Sequence, residues 1–304
     1  MNFTFKQLRY FIAVAECGNV TAASQQLFIS QPAISNAIIQ LEESFGVQLL
    51  IRHHAKGVSL TSAGKEFLGQ AASLLAHADD VDGSMKQHST TLSGTINLGC
   101  FVTLAPLYIP SIIKRFNEHY PEVDFNLHEG DQQQLSDALT NGRIEAAIIY
   151  DLNLEDNFDT EVLSLLPPRV MLASDHPLAK KKRIDLVELR DEPMILIDLP
   201  HSREYFKSLF HKHKFEPTIR HKTKSFELAR SLVANGRGYS ISNLSPQTNI
   251  CYDGSEVVSR ELSEETSALT IVVAKISEIK LPKRVEIFID YCKEYFDDPS
   301  KIKH

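Results

Sequence analysis

The sequence predicts an α/β protein made of a small N-terminal winged helix-turn-helix, a long linker helix and a two-lobed α/β domain. Three short helical patterns and then two β-prone stretches fill residues 1–64, in the order of a winged helix-turn-helix. One long helical pattern follows. From residue 95 onward β-type runs alternate with helical ones, which predicts parallel sheet with crossover helices.

The first two helices are predicted from their ends. Thr4 and Gln7 have the spacing of a capping box, and Gly18 is expected to end the helix. Thr21 is expected to cap a second short helix over residues 22–27. Apolar residues recur at helical spacing in the first helix, at Leu8, Phe11, Ile12 and Ala15.

The third helix and a hairpin complete the first domain. Ser30 is a suitable N-cap, Pro32 is tolerated in the first turn, and Gly46 is expected to end the helix. Residues 49–51 and 58–60 are β-prone and are joined by RHHAKG, which predicts a hairpin. The inward stripe of the helix is expected to consist of Ile34, Ala37, Ile38, Leu41 and Phe45.

The linker helix is predicted to run from Thr61 to about His88. Its apolar residues have the alternating spacing of a heptad seam, which favours pairing with a second chain over the alternative of packing within the domain. The polar residues after it predict a hinge, at Thr90, Thr91, Ser93 and Gly94. The seam residues are Phe67, Ala71, Leu74, Ala78, Val81 and Met85. Residues 65–92 are therefore predicted to be a dimerising linker helix.

The remaining chain, 93–304, is predicted to form two α/β lobes. Lobe I would comprise about 93–160 and 268–304, and lobe II about 161–267. Ligands of such sheets sit at the carboxyl ends of the strands, so we expect a binding cleft between the lobes. Strands are predicted at 95–100, 124–129, 145–150, 169–174, 194–199, 219–223, 238–242 and 269–274, and helices at 104–119, 132–142, 202–213, 226–235 and 282–296.

Composition limits the functions that are open to this chain of 304 residues. Its net charge of −7 argues against a protein that coats nucleic acid, although residues 1–64 alone carry about +1, from four basic and three acidic residues. No apolar run is long enough for a membrane span, and we see no signal peptide pattern. Four cysteines without a CxxC pair fit a reducing compartment. We therefore expect a cytoplasmic location and no membrane association.

The segment NVTAASQQLFISQPAISNAIIQLEESFGVQLLIRHHAKGVSLTSAGKEFL resembles the signature of LysR-type transcriptional regulators. It contains a Thr-x-Ala-Ala turn, a Ser-Gln-Pro-Ala-x-Ser helix opening, Phe-Gly-Val and a closing Leu-Thr-x-Ala-Gly. LTNGRIEAAI, HPLA and LVANGRGYSIS resemble the family's effector domain, whose two lobes are similar to periplasmic binding proteins. The resemblance implies a homodimer or homotetramer, bent operator DNA, and transcription by RNA polymerase that a small-molecule effector switches.

The outward face of the third helix is the predicted base-reading surface. Amide side chains can pair with adenine, and an aliphatic side chain can contact a thymine methyl group. The resemblance adds Thr21, and the wing supplies candidates for phosphate or minor-groove contact. The predicted DNA-binding residues are Thr21, Gln31, Pro32, Ser35, Asn36, Ile39, Gln40, Arg52, His53, His54 and Lys56. The adjacent histidines have no carboxylate or thiol at ligand spacing, so we expect neither a metal nor another cofactor.

The predicted effector contacts lie at strand ends and helix starts. By resemblance, Thr103 and Asp131 occupy positions that hold effector in the family. Ordinary capping and core packing is the alternative for every member of the set. The predicted effector-binding residues are Cys100, Phe101, Thr103, Asp131, Tyr150, Pro200, His201, Ser202 and Ser242.

Nearby carboxylates indicate the charge of the effector. Asp131, with Asp151 and Asp198 near neighbouring strand ends, favours an amine or amino-acid-like effector, since like charges repel at short range. The alternatives are an organic carboxylate held by Thr103 and Ser202, and an Asp131 that only caps its helix.

Two other functional classes compete with a regulator. The lobes alone fit a solute-binding protein, but the helix-turn-helix and the missing signal peptide disfavour it. Cys100 could be an enzymatic nucleophile, but no base or orienting group can be assigned to it. We therefore predict a non-catalytic, sequence-specific DNA-binding transcriptional regulator that an effector bound between the lobes controls by population shift.

Overall fold

Three helices and a hairpin form the N-terminal unit, as predicted. The protein is described by a computed structural model that covers residues 3–53, 57–86, 92–213, 215–263 and 266–297. The helices are α1 (Phe5–Cys17), α2 (Val20–Leu27) and α3 (Gln31–Phe45). Strands β1 (Leu50–His53) and β2 (Gly57–Leu60) pair antiparallel and form the wing.

The N-caps of the first three helices agree only partly with those predicted from the sequence. Thr4 and Gln7 form the predicted capping box. The prediction that Thr21 caps the second helix is wrong, because Asn19 is the N-cap and its Oδ1 accepts a hydrogen bond from the Ala22 N–H at 2.6 Å. Asn19 has an extended backbone directly after the left-handed Gly18, which places its amide before the helix start. Ser30 is the N-cap of α3 by position, but its side chain makes no capping bond.

The remaining elements build the linker and the two lobes. In chain order they are α4 (Ser62–Lys86), β3 (Ser93–Phe101), α5 (Ala105–His119), β4 (Glu122–Gly130), α6 (Gln132–Thr140), β5 (Ala146–Tyr150), β6 (Phe158–Leu166), β7 (Arg169–Ala173), β8 (Arg183–Ile184), β9 (Met194–Ile197), α7 (Ser202–Ser208), β10 (Ile219–Thr223), α8 (Phe226–Ala234), β11 (Ser240–Ser242), β12 (Val257–Leu262), β13 (Leu269–Ile276) and α9 (Lys283–Asp297).

The first half of the linker helix α4 packs on its own N-terminal unit. The Phe67 ring lies 5.3 Å from Phe11 and 5.0 Å from Phe45, and Ala71 is buried. Leu74 packs partly buried against the same core. Packing within the chain, the alternative left open by the sequence, therefore accounts for the burial of Ala71, and pairing of α4 with a second chain stays a prediction. The side chains of Val81 and Met85 lie outside the described residues.

Lobe I is built on a five-stranded mixed sheet in the order β4-β3-β5-β13-β6. β3 pairs parallel with β4 and β5, as the alternating pattern predicts. β13 returns from the far end of the chain and pairs antiparallel with both β5 and β6. The core of the lobe is apolar and includes Leu98, Phe116, Ile148 and Phe288.

Lobe II contains a four-stranded sheet in the order β11-β7-β12-β8 and a parallel pair of β9 and β10. An isolated parallel bridge between Met194 and Tyr239 joins the two parts. The sequence prediction missed β6, β8 and β12. β6 belongs to the sheet of lobe I up to Leu166, so the chain passes into lobe II at Pro167 and Pro168 and not near residue 160.

Two further predicted features differ from the structure. Ser93 and Gly94 open strand β3 and do not form a hinge, whereas Thr90 and Thr91 lie outside the described residues. The predicted helix over 202–213 is shorter, because α7 stops at Ser208 and a separate 3-10 turn follows at His211–His213. Within the described part of the chain, no helix has the length and apolarity needed to cross a membrane.

Candidate functional site

The outward face of α3 is a polar surface with one aliphatic residue at its centre. The opposite face is anchored in the N-terminal core by Ile34, Ile38 and Leu41, all of which are buried. This burial fixes which side of the helix faces outward. Of the predicted contact residues on α3, Gln31, Pro32, Asn36, Ile39 and Gln40 are exposed and Ser35 is half-buried.

Ile39 distinguishes this surface from an ordinary solvated helix face. Its side chain is 38% exposed among amide-bearing neighbours. Thr21, on the adjoining helix α2, is also exposed. Amide groups beside an exposed aliphatic residue, on the second helix of a helix-turn-helix, match the groups that read base edges in a major groove.

The wing is held to α3 by one carboxylate. Glu42, whose side chain is only 11% exposed, accepts hydrogen bonds through Oε1 from the backbone N–H groups of Leu49 at 2.8 Å and Leu50 at 3.0 Å. Its Oε2 lies 3.7 Å from Arg52 Nη2. The sequence prediction missed Glu42, although its place late in α3, just before the β-prone run, was a usable signal.

The described part of the wing presents polar and basic groups. Arg52 and His53 are exposed, and His53 Nε2 lies 2.7 Å from Ser59 Oγ. The predicted contacts His54 and Lys56 lie outside the described residues. A Cβ built at Gly57 would approach the Gly18 carbonyl oxygen to 2.3 Å, so the wing can lie against the end of α1 only with glycine there. This arrangement places the exposed guanidinium of Arg52 beside α3, where it can contact phosphate.

A small cavity of about 20 Å³ lies between the two lobes. It is lined by the carboxyl ends of β3, β5 and β9, by the start of α7 and by the segment after β11. The lining residues are Phe101, Thr103, Tyr150, Ile197, Leu199, Ser202, Phe206, Phe226, Ser242, Asn243, Leu244 and Leu269. This space holds little more than one water molecule and is far below the range of small-molecule pockets, so a ligand can enter it only when the lobes move apart.

The polar groups of the cavity are neutral at physiological pH. The side chains of Thr103 and Tyr150 are hydrogen-bonded to each other, and burial raises the pKa of Tyr150. Ser242 Oγ accepts a hydrogen bond from the Leu244 N–H at 3.0 Å. Behind Asn243, burial raises the pKa of Tyr205 to about 12. Such groups can orient a ligand, but none of them offers a full charge.

Five of the predicted effector residues line this cavity, namely Phe101, Thr103, Tyr150, Ser202 and Ser242. The other apolar lining residues and Asn243 were missed, because residues far apart in the chain come together only after both lobes fold. The phrase GYSIS marked the strand before Asn243, and this was the only local signal for it.

Four predicted effector residues are not among the lining residues. Asp131 forms a capping box at the start of α6, where its Oδ1 accepts from the Gln134 N–H at 3.1 Å. Cys100 is buried in the lobe I core, and burial raises the pKa of its thiol. His201 Nδ1 lies 3.2 Å from Asn153 Nδ2, and Pro200 precedes it. The feature that favoured an amine effector, Asp131 facing the ligand, is therefore not found.

Metal binding and covalent chemistry have little support in the described residues. These residues contain no group of three or more His, Cys, Asp or Glu side chains placed to hold a metal ion. A thiol with a raised pKa carries little thiolate and is a poor nucleophile. The cavity is suited to reversible binding, and α3 with the wing is suited to contact with a duplex.

Comparisons with known proteins identify two domains in the chain. Residues 5–65 match the family described as bacterial regulatory helix-turn-helix protein, lysR family, and residues 89–297 match the LysR substrate binding domain. The relatives that are described by function are transcriptional regulators and not enzymes.

Individual relatives extend the similarity over most of the chain. The solved structure of HinK, a LysR family transcriptional regulator from Pseudomonas aeruginosa, is 38% identical, with 97% of this chain and 99% of that chain covered and a TM-score of 0.66. The transcriptional regulator BenM of Acinetobacter baylyi is 33% identical over 80% of this chain and 81% of its own length. The uncharacterised regulator YvbU of Bacillus subtilis is 28% identical over 96% of this chain and 99% of its own length.

Proposed function

The chain belongs to the LysR family of DNA-binding transcriptional regulators, and we propose that it reads operator DNA with α3 and the wing under the control of a small molecule bound between the lobes. In this proposal residues 1–64 bind DNA, 65–92 link the units and 93–304 bind the effector. Homodimers or homotetramers would act on RNA polymerase in the cytoplasm. One chain carries both an exposed surface that can read duplex DNA and a small cavity between its lobes. This combination supports the proposed function.

The DNA contacts divide into two roles. Gln31, Asn36 and Ile39 lie on the exposed part of α3, where amide and aliphatic groups can distinguish base edges. Arg52 lies on the wing and would contact phosphate, which carries no sequence information. Ser35, Gln40, Pro32, Thr21, His53, His54 and Lys56 complete the proposed DNA-binding set.

The effector would act by changing the relative population of lobe arrangements. A ligand shifts such an equilibrium only through different affinities for the two states. The cavity is lined from both lobes, by Thr103 and Tyr150 on one side and Ser202 and Ser242 on the other. A ligand that contacts all four side chains favours the closed arrangement, and DNA bending by the oligomer changes with it.

Selection from random DNA duplexes tests the DNA-binding part. The full-length protein should enrich one sequence class. Asn36→Ala should relax preference at one or two base pairs, a loss of about 1 to 3 kcal/mol at each, as expected for a bidentate contact. Arg52→Ala should weaken binding to all sequences alike and reduce the slope of log affinity against log salt by about one unit.

The control is the comparison of the two variants across the same library. Identical losses over all sequences would show that α3 does not read bases. Enrichment of no sequence by the wild-type protein would reject the proposed function itself.

A further inference from the structure

Asn153 and His201 form a hydrogen bond that crosses the cleft between the lobes. Asn153 follows β5 in lobe I, and His201 stands directly before α7 in lobe II. The amide Nδ2 of Asn153 donates to Nδ1 of His201 at 3.2 Å. Asn153 is exposed and His201 is half-buried, so this bond lies near the protein surface. Two side chains that are 48 residues apart in the chain thus join the lobes directly.

Both partners have backbone conformations that favour glycine. Asn153 has a φ of +50°, in the left-handed region that Asn tolerates better than most residues. His201 has φ +63° and ψ −36°, and the Ser202 N–H donates to the Pro200 carbonyl oxygen at 2.8 Å. This is a γ-turn of the positive-φ type, which is rare and strained. Such strain persists only where the surrounding structure holds it, and it is concentrated at ligand clamps and switches.

Each partner is fastened to its own lobe. Gln132 is 2% exposed, and its Nε2 donates to the carbonyl oxygens of Tyr150 at 3.0 Å and Leu152 at 3.4 Å, which fixes the chain just before Asn153 to lobe I. The His201 carbonyl oxygen accepts from the N–H of the first turn of α7 at 3.3 Å, which fixes His201 to lobe II. The bond between Asn153 and His201 therefore constrains the lobes and not only two loops.

The width of the cavity depends on the distance between these two residues. Tyr150, three residues before Asn153, and Ser202, directly after His201, both line the cavity. The cavity of about 20 Å³ is too small for an organic ligand. A movement of the lobes that widens it draws Ser202 away from Tyr150, and it therefore separates His201 from Asn153 as well.

We propose that Asn153 and His201 are a latch that holds the lobes in an empty arrangement, and that an effector enters only after this latch has opened. An arrangement closed around an effector is then wider than the latched one. When the bond breaks, the γ-turn at His201 loses the contact that offsets its strain and can relax. This inference rests on the proposed effector site and specifies how access to that site is regulated.

Hydrogen exchange of the full-length protein, without ligand or DNA, tests the latch. The reporters are the amides of residues 101–105 and 242–245, two segments that line the cavity from opposite lobes and contain neither partner. Asn153→Ala should speed exchange in both segments about 3-fold, the effect of one partly exposed hydrogen bond that no longer opposes opening. Unchanged exchange in this variant would overturn the proposal.

Asn157→Ala is the matched control for this variant. It makes the same change at an exposed position of the same loop, and both reporter segments should exchange as in the wild-type protein. Faster exchange in Asn157→Ala, equal to that in Asn153→Ala, would show that any change in the loop loosens the lobes and would overturn the latch.

A double-mutant cycle shows whether the two residues act through their mutual bond. His201→Ala should speed exchange as much as Asn153→Ala, and the double variant should be no faster than either, because the same bond is lost in all three. His211→Ala, at an exposed position after α7, should behave as wild type. A double variant whose effect is the product of the two single effects would overturn the proposal.

His201→Gly separates the latch from the strain. It removes the same ring as His201→Ala, but glycine adopts the positive φ without a Cβ penalty. It should unfold at a higher urea concentration than His201→Ala while its reporter segments exchange equally fast. Equal unfolding midpoints would overturn the assignment of strain to this turn. Failure of the wild-type protein to select a DNA sequence would reject the proposed function and leave these exchange results unaltered, whereas failure of the latch would leave DNA selection intact.

Discussion

At the residue scale, the first two helices begin where the side chains of Thr4 and Asn19 accept hydrogen bonds from backbone N–H groups of the first turn. The capping box of Thr4 and Gln7 was recovered because both bonds close within one turn. Thr21 was preferred over Asn19 although both types cap helices, and only the backbone conformation after Gly18 decides between them. Glu42 and Asn243 were missed because their partners are distant in sequence.

Glu42 offers a test of how the wing is positioned. Glu42→Ala would leave the N–H groups of Leu49 and Leu50 without their acceptor and should lower the free energy of unfolding of the N-terminal unit by about 2 kcal/mol. Glu42→Gln keeps an acceptor oxygen and should lower the free energy of unfolding much less. Urea unfolding checks both variants. Similar losses would show that the charge facing Arg52, and not the acceptor, holds the wing.

At the element scale, periodicity located most helices and strands but not the surfaces that cover them. β6 was missed because it lies at the edge of its sheet, where Val162 and Leu165 are exposed and polar residues interrupt the apolar pattern. The row of apolar residues on α4 was predicted correctly, but the first half of this row packs on its own chain. Packing partners depend on the three-dimensional arrangement of elements, which local spacing does not encode.

Two helices that both end in Asn-Gly allow a matched test of the contact between α4 and lobe I. Gly142 and Gly236 have φ values of +65° and +67°. A Cβ at Gly142 would lie 2.9 Å from Ala72 Cβ on α4, whereas one at Gly236 meets nothing within 4 Å. Gly236→Ala should lower the free energy of unfolding by about 1 kcal/mol from backbone strain alone.

Gly142→Ala should lower the free energy of unfolding by about 1 kcal/mol more than Gly236→Ala, because α4 must move to admit the methyl group. Denaturant unfolding measures both losses, and limited proteolysis of the linker reports displacement of α4. Equal effects of the two variants would contradict the close packing of α4 on this turn.

At the scale of the whole molecule, the two-lobed architecture and the family were evident from the sequence, whereas the wall of the cavity was not. Thr103 and Ser202 were found because each lies at a helix start after a predicted strand. Phe206, Phe226 and Leu269 carry no local signal, because they reach the cavity from three separate segments. The charge of the effector stays a prediction, but Asp131 no longer supports it, because this residue is close in sequence to the cavity wall and caps its own helix.

The oligomer is tested at this scale by Leu74→Asp. Leu74 packs half-buried against the N-terminal core, so a carboxylate there should lower the stability of that unit by about 1 to 2 kcal/mol. If packing within the chain is the main role of Leu74, the oligomer should persist in sedimentation velocity experiments while the calorimetric transition of the N-terminal unit shifts downward. Gln70→Asp adds the same charge at an exposed position of α4 and is the control. Loss of the oligomer with unchanged thermal stability would instead support the intermolecular seam.

The return of β13 into lobe I determines the order in which the protein can fold as it is synthesised. Lobe I needs β13 between β5 and β6, and it needs α9, and both elements follow lobe II in the chain. Lobe II comes from one continuous stretch and can complete its sheet while lobe I still lacks an interior strand. During translation the inserted lobe is therefore expected to close first, with the edge of β5 left open until β13 has been made.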